Sequence, residues 1–289
     1  MFLPVSQDYI VPPCHLTPHT RQVGPKIGQG TFAVVHRGKE TKEPHRGVAI
    51  KILRCQEELK GLDDAAYEMM LQAMGREIEA MEAIGKHPSI VPLVAKDRDG
   101  VVIVMELGSS DLHTVIKRQY ADKGLPAHLM QTWAQGICEG VAYIHASGYV
   151  HQDLKSSNII VFDDRTVKIG DFGLVREKQK TMRVDRELCT LWYRAPELLL
   201  CECTYSHKID EWSIGVILLE MVMGGPPFRG DASRTCDCQK PNHRNFNNDQ
   251  LACIFLVTGS PADDLIKDRD CREHLFGKIH SFLLYDFCF

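Results

Sequence analysis

The chain has 289 residues, enough for one large two-lobed domain or two small ones, and its 44% hydrophobic and 25% charged content is ordinary for a globular protein. A formal net charge of −4 argues against nucleic acid or an anionic membrane surface as the main partner. The opening MFLPVSQDYIVPP has neither the basic start nor the apolar run of a signal peptide, and no stretch reaches the length of a membrane span. The eleven cysteines therefore read as reduced thiols, and the chain as cytoplasmic or nuclear. Cys201-x-Cys203 and Cys236-x-Cys238, with His243 nearby, are spaced more tightly than the usual structural zinc knuckle, which argues against zinc there.

Residues 1–20 are rich in Pro, His and Thr without a period and read as a flexible tail. Gln22–Gly28 and Thr31–Arg37 alternate well enough for two strands, joined by the glycine-rich turn GQGTF. Val48-Ala49-Ile50-Lys51 suits a third strand. From Glu57 to Ile84 the spacing predicts a helix laid on a sheet, with Leu71, Met74, Ile78, Met81 and Ile84 recurring at three and four. Val101–Met105 is a continuous apolar strand running into Glu106-Leu107-Gly108, and Leu129, Trp133, Ile137, Val141 and Ile144 mark a helix over 129–145.

The next stretch, HQDLKSSNIIVFDDRTVKIGDFG over 151–173, carries the chemistry. Ile159–Phe162 and Thr166–Ile169 read as short strands, with Asp163-Asp164 a tight-turn signal between them. A hairpin of that length brings Asn158 at its start beside Asp171 at its end. A neutral amide oxygen next to a carboxylate is a hard-oxygen site for Mg²⁺, which keeps most of its waters and takes phosphate oxygens as further ligands. Asp153, just upstream, is then placed to accept a hydroxyl proton beside those phosphates.

This segment resembles the catalytic loop and DFG segment of a eukaryotic protein kinase, with His151-Gln152-Asp153 where the family has HRD. Gly28-x-Gly30, Val35 and the lysine of Val48-Ala49-Ile50-Lys51 resemble its phosphate-covering loop and strand lysine, with Ala33 in place of the third glycine. GREIEAMEAIGKHPSIV, over 75–91, is similar to the C-helix and the strand after it. Thr190-Leu191-Trp192-Tyr193-Arg194-Ala195-Pro196-Glu197, Asp210-Glu211-Trp212-Ser213-Ile214-Gly215 and Thr258-Gly259-Ser260-Pro261 are similar to segments of the cyclin-dependent and MAP kinase (CMGC) group. The resemblance covers roughly residues 21–262, with the signature motifs in order. Arg229–Phe246 is an extra polar, cysteine-bearing loop to which the sequence assigns no role.

The resemblance implies a two-lobed α+β fold. Residues 21–108 would form a small antiparallel sheet, one helix and a hinge, and residues 109–289 a mainly helical lobe, after the tail at 1–20. It implies an ATP- and Mg²⁺-dependent serine/threonine protein kinase, proline-directed, acting on protein substrates, with a cyclin-like activator as a partner of the kind its relatives use. A pseudokinase that binds nucleotide without transfer, or a small-molecule kinase, is the competing reading. The first would lack a lysine, base or metal ligand, and the second the WYRAPE docking segment.

By the same resemblance Asp153 is the catalytic base, Lys155 neutralises the transferred phosphoryl group, and Lys51 meets the phosphates while paired with Glu77 (Glu79 being the alternative). Ile27, Gly28, Gly30, Val35, Ala49, Met105 as gatekeeper, Glu106 and Leu107 as hinge, and Ile160 surround the nucleotide. Asn158 and Asp171 hold the metal, His151 is a structural partner of Phe172, and Arg194 favours proline after the phosphoacceptor. Thr31 in the glycine-rich loop is a candidate inhibitory phosphorylation site. Arg76 and Arg176 would grip a loop phosphate, but Gln152 replaces the third arginine and Asp185 stands at the acceptor position. The loop would then be held without phosphorylation, the alternative being that Asp185 is a solvated loop acid and Thr181 the switch. Glu197 pairs in relatives with an arginine about a hundred residues later. The chain ends before that point, so a C-lobe truncated at its C-terminus and a buried, unpartnered Glu197 are expected.

Overall fold

Alternation of apolar and polar residues draws the first third of the chain into an antiparallel sheet. In the computed structural model, residues 22–30, 33–40, 44–55, 63–97, 100–162, 166–183, 188–200, 204–235 and 247–259 are described. Strands β1 (Gln22–Gln29), β2 (Ala33–Lys39), β3 (Gly47–Leu53), β4 (Leu93–Lys96) and β5 (Val102–Glu106) form one sheet in the order β1-β2-β3-β5-β4. The side-chain period of two gives this sheet two faces. Val48, Ile50, Val102 and Val104 are buried with Met70 on one face. Val35, Lys51 and Ile103 are paired across neighbouring strands on the other, as are Ala49 and Met105.

Helix α1 (Asp64–Ile84) packs into both groups: its Met70 joins Val48, Ile50, Val102 and Val104, and its Met74 and Ile78 share a core with Ile103. The apolar spacing runs back to Glu57, yet the helix starts at Asp64. Asp63 has extended backbone, φ −79° and ψ 167°, and its side chain accepts a hydrogen bond from Ala66 N at 2.7 Å. A capping carboxylate satisfies a free N–H of the first turn, and that fixes the start more firmly than hydrophobic spacing does. The expected residues 57–62 lie outside the described ones, and the helix does not include Asp63.

Past the hinge come β6 (Ser110–Asp111), α2 (Leu112–Gln119), α3 (Ala127–Ala146), β7 (Tyr149–Val150), β8 (Ile159–Val161) and β9 (Val167–Ile169). Strands β10 (Arg176–Glu177) and β11 (Met182–Arg183), helix α4 (Pro196–Leu199), β12 (Thr204–Tyr205), α5 (Lys208–Met223) and α6 (Asn248–Thr258) follow. The core of this lobe is Trp133, Ile137 and Ile144 of α3 with Val216, Ile217 and Met221 of α5. Gly140 permits the close approach of α3 to the β8–β9 hairpin, since a Cβ there would lie 2.7 Å from Ile169 Cδ1. The hairpin is tied to the chain entering β4: Ile169 N donates to Ser89 O at 2.8 Å and Val91 N to Ile169 O at 2.9 Å. Two ribbons, β7–β10 and β11–β12, fasten the segment after the hairpin to the helical lobe.

Among the described residues no helix is long and apolar enough to cross a membrane. The tail at 1–20, Thr31, Asp163-Asp164, Asp185, both C-x-C pairs and everything beyond Gly259 lie outside the described residues. The extra loop is closed at its base, where Thr235 bridges Asn247 and Asn247 Nδ2 donates to Asp231 O at 2.8 Å. Glu197 is half buried and engaged in an interaction, so it is neither deeply buried nor without a partner, contrary to the expectation.

Candidate active site

Register alone assembles the upper half of the site. Gly28 pairs with Val35, Val35 with Lys51 and Lys51 with Ile103, so these residues form a row across the sheet, and Ala49 and Met105 form the next. Ile27 and Gly30 are exposed at the open edge. Glu106 and Leu107 follow β5, and Ile160 lies below them on β8. The hinge touches β8 because residue 108 is glycine: a Cβ there would stand 2.3 Å from Ile160 Cγ2 and 2.9 Å from Val161 O. Glu106 is ion-paired with Lys168, whose ammonium also sits 4.4 Å above the Phe162 ring.

Lys51 points into the cleft, with Nζ 2.7 and 2.8 Å from the two oxygens of buried Glu77 and 3.1 Å from Asp171 Oδ1. Burial draws the ammonium's pKa down, but Asp171 and Glu77 together outweigh it and hold it above the ordinary lysine value. For Asp171, burial works upward, and Lys51, helped by His151 and Lys155, prevails and keeps the carboxyl below its usual range. Burial pushes Glu77 upward, against the pull of Lys51. Glu79, on the exposed side of α1, is excluded as the partner.

Below the hinge, Asp153 is nearly buried, and both its carboxylate oxygens are engaged. Oδ1 accepts from Thr190 N at 3.1 Å and Thr190 Oγ1 at 3.0 Å, and Oδ2 accepts from Lys155 Nζ at 2.6 Å. Lys155 Nζ also donates to Thr190 Oγ1 at 3.0 Å. Asn158 Nδ2 donates to Asp153 O at 2.8 Å, which leaves the amide oxygen of Asn158 as its free donor atom for a cation. The β8–β9 pairing places Gly170 N 2.9 Å from Asn158 O, so the peptide leading into Asp171 lies against Asn158, as the hairpin spacing predicts. A neutral amide oxygen and an ionised carboxylate match the hard-oxygen preference of Mg²⁺. His151 is buried against Phe172, ring centroids 5.5 Å apart, with Nε2 3.1 Å from Gly170 O.

Backbone strain concentrates here. Gln152, Asp171 and Cys189 have φ of 70°, 59° and 59°, a region that non-glycine residues enter only when their surroundings enforce it. Gln152 is held by Asp210, a fully buried carboxylate of α5. Its Oδ1 accepts from Gln152 N at 2.9 Å, and its Oδ2 accepts from His151 N at 2.7 Å and bonds His145 Nε2 at 2.8 Å. The Gln152 side chain is buried too. Nε2 donates to Tyr205 Oη at 2.6 Å and lies 4.0 Å from Met182 Sδ, touching both strands of the β11–β12 ribbon. Cys189 is held by Arg194, which is buried and donates to Cys189 O from Nε at 3.3 Å and Nη2 at 3.0 Å. Burial pushes the Cys189 thiol well up, so it is inert as a nucleophile.

A second buried carboxylate of α5, Glu220, completes the support. Ser156 Oγ donates to its Oε1 at 3.0 Å and Tyr193 Oη to its Oε2 at 2.7 Å, with His113 Nδ1 at 3.3 Å. Burial, reinforced by Glu220, raises the Tyr193 phenol far above its ordinary value, so it stays a proton donor. Of the regulatory candidates, Arg76 is exposed on α1, Arg176 is half buried and engaged on β10, and Thr31 and Asp185 lie outside the described residues. Sequence reasoning missed Thr190 as a partner of Asp153, and it missed Asp210 and Glu220 as supports. The one available signal was that Asp210 and Glu220 are two of only three acids on a largely apolar helix.

A family model for the protein kinase domain matches residues 21–268, most of the chain. Asp210→Ala removes the acceptor of two buried backbone N–H groups and of His145. Stability should fall by about 3 kcal/mol or more in denaturant titration, since each orphaned buried donor costs about 1–3 kcal/mol. A loss below about 1 kcal/mol would show that Asp210 is not what holds the loop.

Proposed function

This chain belongs to the protein kinase family, and on that premise we propose that it transfers the γ-phosphoryl group of ATP to serine and threonine hydroxyls of proteins, preferring those followed by proline. The observation that carries this reading is the Lys51 ammonium held between Glu77 and Asp171, above an Asp153 bound to Lys155 and Thr190.

In this reading the acceptor hydroxyl approaches Asp153, and its oxygen attacks the γ-phosphorus. The new O–P bond forms as the bond to the β–γ bridging oxygen breaks. ADP leaves with that electron pair, and the hydroxyl proton ends on Asp153. Lys155, already 2.6 Å from Asp153, offsets negative charge at the transferred group. Lys51 orients the phosphates of the nucleotide, with Glu77 keeping its ammonium in place. Gly28 and Gly30 let loop amides approach the phosphates, and Ile27, Val35, Ala49, Met105, Leu107 and Ile160 enclose the base. Asn158 and Asp171 would hold Mg²⁺, which when bound supplies positive charge at the phosphate oxygens. The protein's contribution is positioning and electrostatics, because the transition state is loose.

Lys155 within Asp153-Leu154-Lys155-Ser156-Ser157-Asn158 supports the Ser/Thr assignment and membership in the CMGC group. Arg194 supports the proline preference by a physical route. It occupies the Cys189 carbonyl, so a substrate residue lying there finds no acceptor for its backbone N–H. Proline has no N–H to leave unsatisfied, and other residues do.

The closed Lys51–Glu77 pair favours activity without a cyclin-like partner. The β11–β12 ribbon held by Gln152 favours a loop ordered without a phosphate, because the buried Gln152 amide is neutral and already bonded to Tyr205.

Lys51→Met, Asp153→Asn and Asp171→Ala should each lower peptide phosphorylation by about a hundredfold or more. Near-normal activity in any one of them removes the role given to that residue. Ser-Pro and Thr-Pro peptides should outperform their Ser-Ala and Thr-Ala counterparts, and equal rates would remove the proline preference. On regulation, Asp185→Ala should lower activity while Thr181→Ala leaves it unchanged. The reverse pattern would make Thr181 the switch.

A further inference from the structure

A cluster of metal-ligating side chains lies outside the site just described. His145 lies in the last turn of α3, His207 immediately precedes α5, and Glu211 lies in the first turn of α5. One ligand atom of each lies within 4.8 Å of those of the other two. His207 and Glu211 stand four residues apart, with Nε2 3.6 Å from Oε1, and the His145 and His207 rings meet edge to face at 5.1 Å. His145 is already oriented as metal-bound histidines are. Its Nε2 is engaged by buried Asp210 at 2.8 Å, a carboxylate–histidine pairing that fixes the tautomer and leaves Nδ1 to offer.

We propose that His145, His207 and Glu211 form a binding site for a divalent transition metal, zinc above all, with the fourth position left to water. Two imidazoles and a carboxylate suit zinc, whereas magnesium and calcium take oxygen ligands throughout. Tetrahedral zinc needs ligand atoms roughly 3.3 Å apart. The widest separation in the cluster must therefore close by up to about 1.5 Å. Glu211 is exposed and His207 partly so, whereas His145 is largely buried and held by Asp210, so the closure is a rotation of Glu211 and His207 toward a fixed His145 and leaves the core in place. Lys208 Nζ, 2.8 Å from both Glu211 oxygens, gives up a solvent-exposed ion pair as the metal enters. A bound ion would clamp the end of α3 to the start of α5 on either side of Asp210, the residue that suspends His151 and Gln152. Metal binding would in this way stiffen the support of the catalytic loop without touching substrate.

The test uses the full chain, reduced and stripped with chelator, titrated with cobalt(II) and then zinc. The expected result is one cobalt equivalent with the visible bands of a low-coordinate nitrogen and oxygen site and no thiolate-to-cobalt absorption. Zinc should displace those bands and raise the thermal midpoint of the wild type. His207→Ala and Glu211→Gln change exposed positions, and their folding is checked by circular dichroism. Each should weaken that equivalent by roughly tenfold or more and abolish the zinc-dependent rise, with the phosphorylation rate of the stripped enzyme unchanged. Cobalt binding that persists undiminished in both variants, or that carries a thiolate signature from the chain's cysteines, would overturn the proposal.

Discussion

The buried ammonium of Lys51 is the constraint on which the rest of the site depends. It brings together β3, α1 and the segment after β9, by contacts to Glu77 at 2.7 and 2.8 Å and to Asp171 at 3.1 Å. Glu77 is buried and Lys51 largely so, and two such charges are tolerable only in mutual contact, because an unpaired buried charge costs several kcal/mol; Asp171 meets them from the solvent-exposed side. The same cost makes the geometry selective. If α1 turned or slid, Glu77 would lose its partner, and Lys51 would be left with Asp171 alone. The sheet fixes one end of this triangle through the Val35–Lys51–Ile103 register, and the Met74 and Ile78 contacts fix another.

The lower half rests on a different device. Asp210 and Glu220 lie ten residues apart on α5, about 15 Å along one rigid helix. The first accepts the backbone N–H groups of His151 and Gln152, and the second accepts the hydroxyls of Ser156 and Tyr193. Both ends of the loop carrying Asp153 and Lys155 are therefore suspended from one element. These carboxylates are fully buried, and their oxygens are matched with donors, which is the condition under which such burial is sustainable. The left-handed backbone at Gln152 and Cys189 is the local cost of this arrangement, borne by Asp210 and Arg194.

Much of this was legible in the amino-acid order, for physical reasons that differ from residue to residue. Asn158 and Asp171 could be placed together because a hairpin of that length has only one way to close. The lysine–glutamate pair, Asp153 and the hinge were legible only through their resemblance to a known family. The start of α1 was not legible from hydrophobic spacing, because a cap at Asp63 stops the helix where the pattern continues. Thr190 escaped notice because its contact with Asp153 spans 37 residues of sequence and depends on how the intervening segment folds back. Gln152 could be read as a missing arginine, but its bond to Tyr205 could not be read without the β11–β12 ribbon. Glu197 was expected deeply buried from a family spacing, and it is half buried and engaged, because its place at the start of α4 leaves one side accessible.

The most direct measurement is a double-mutant cycle on Lys51 and Glu77, read as the rate of γ-phosphoryl transfer from ATP to a Ser-Pro peptide. Glu77 acts here only through the ammonium that it holds. Glu77→Gln should therefore lower the rate on its own, yet add nothing to Lys51→Met, leaving the double variant no slower than the Lys51 variant. Losses that simply add would show that the two residues act independently and would contradict the account.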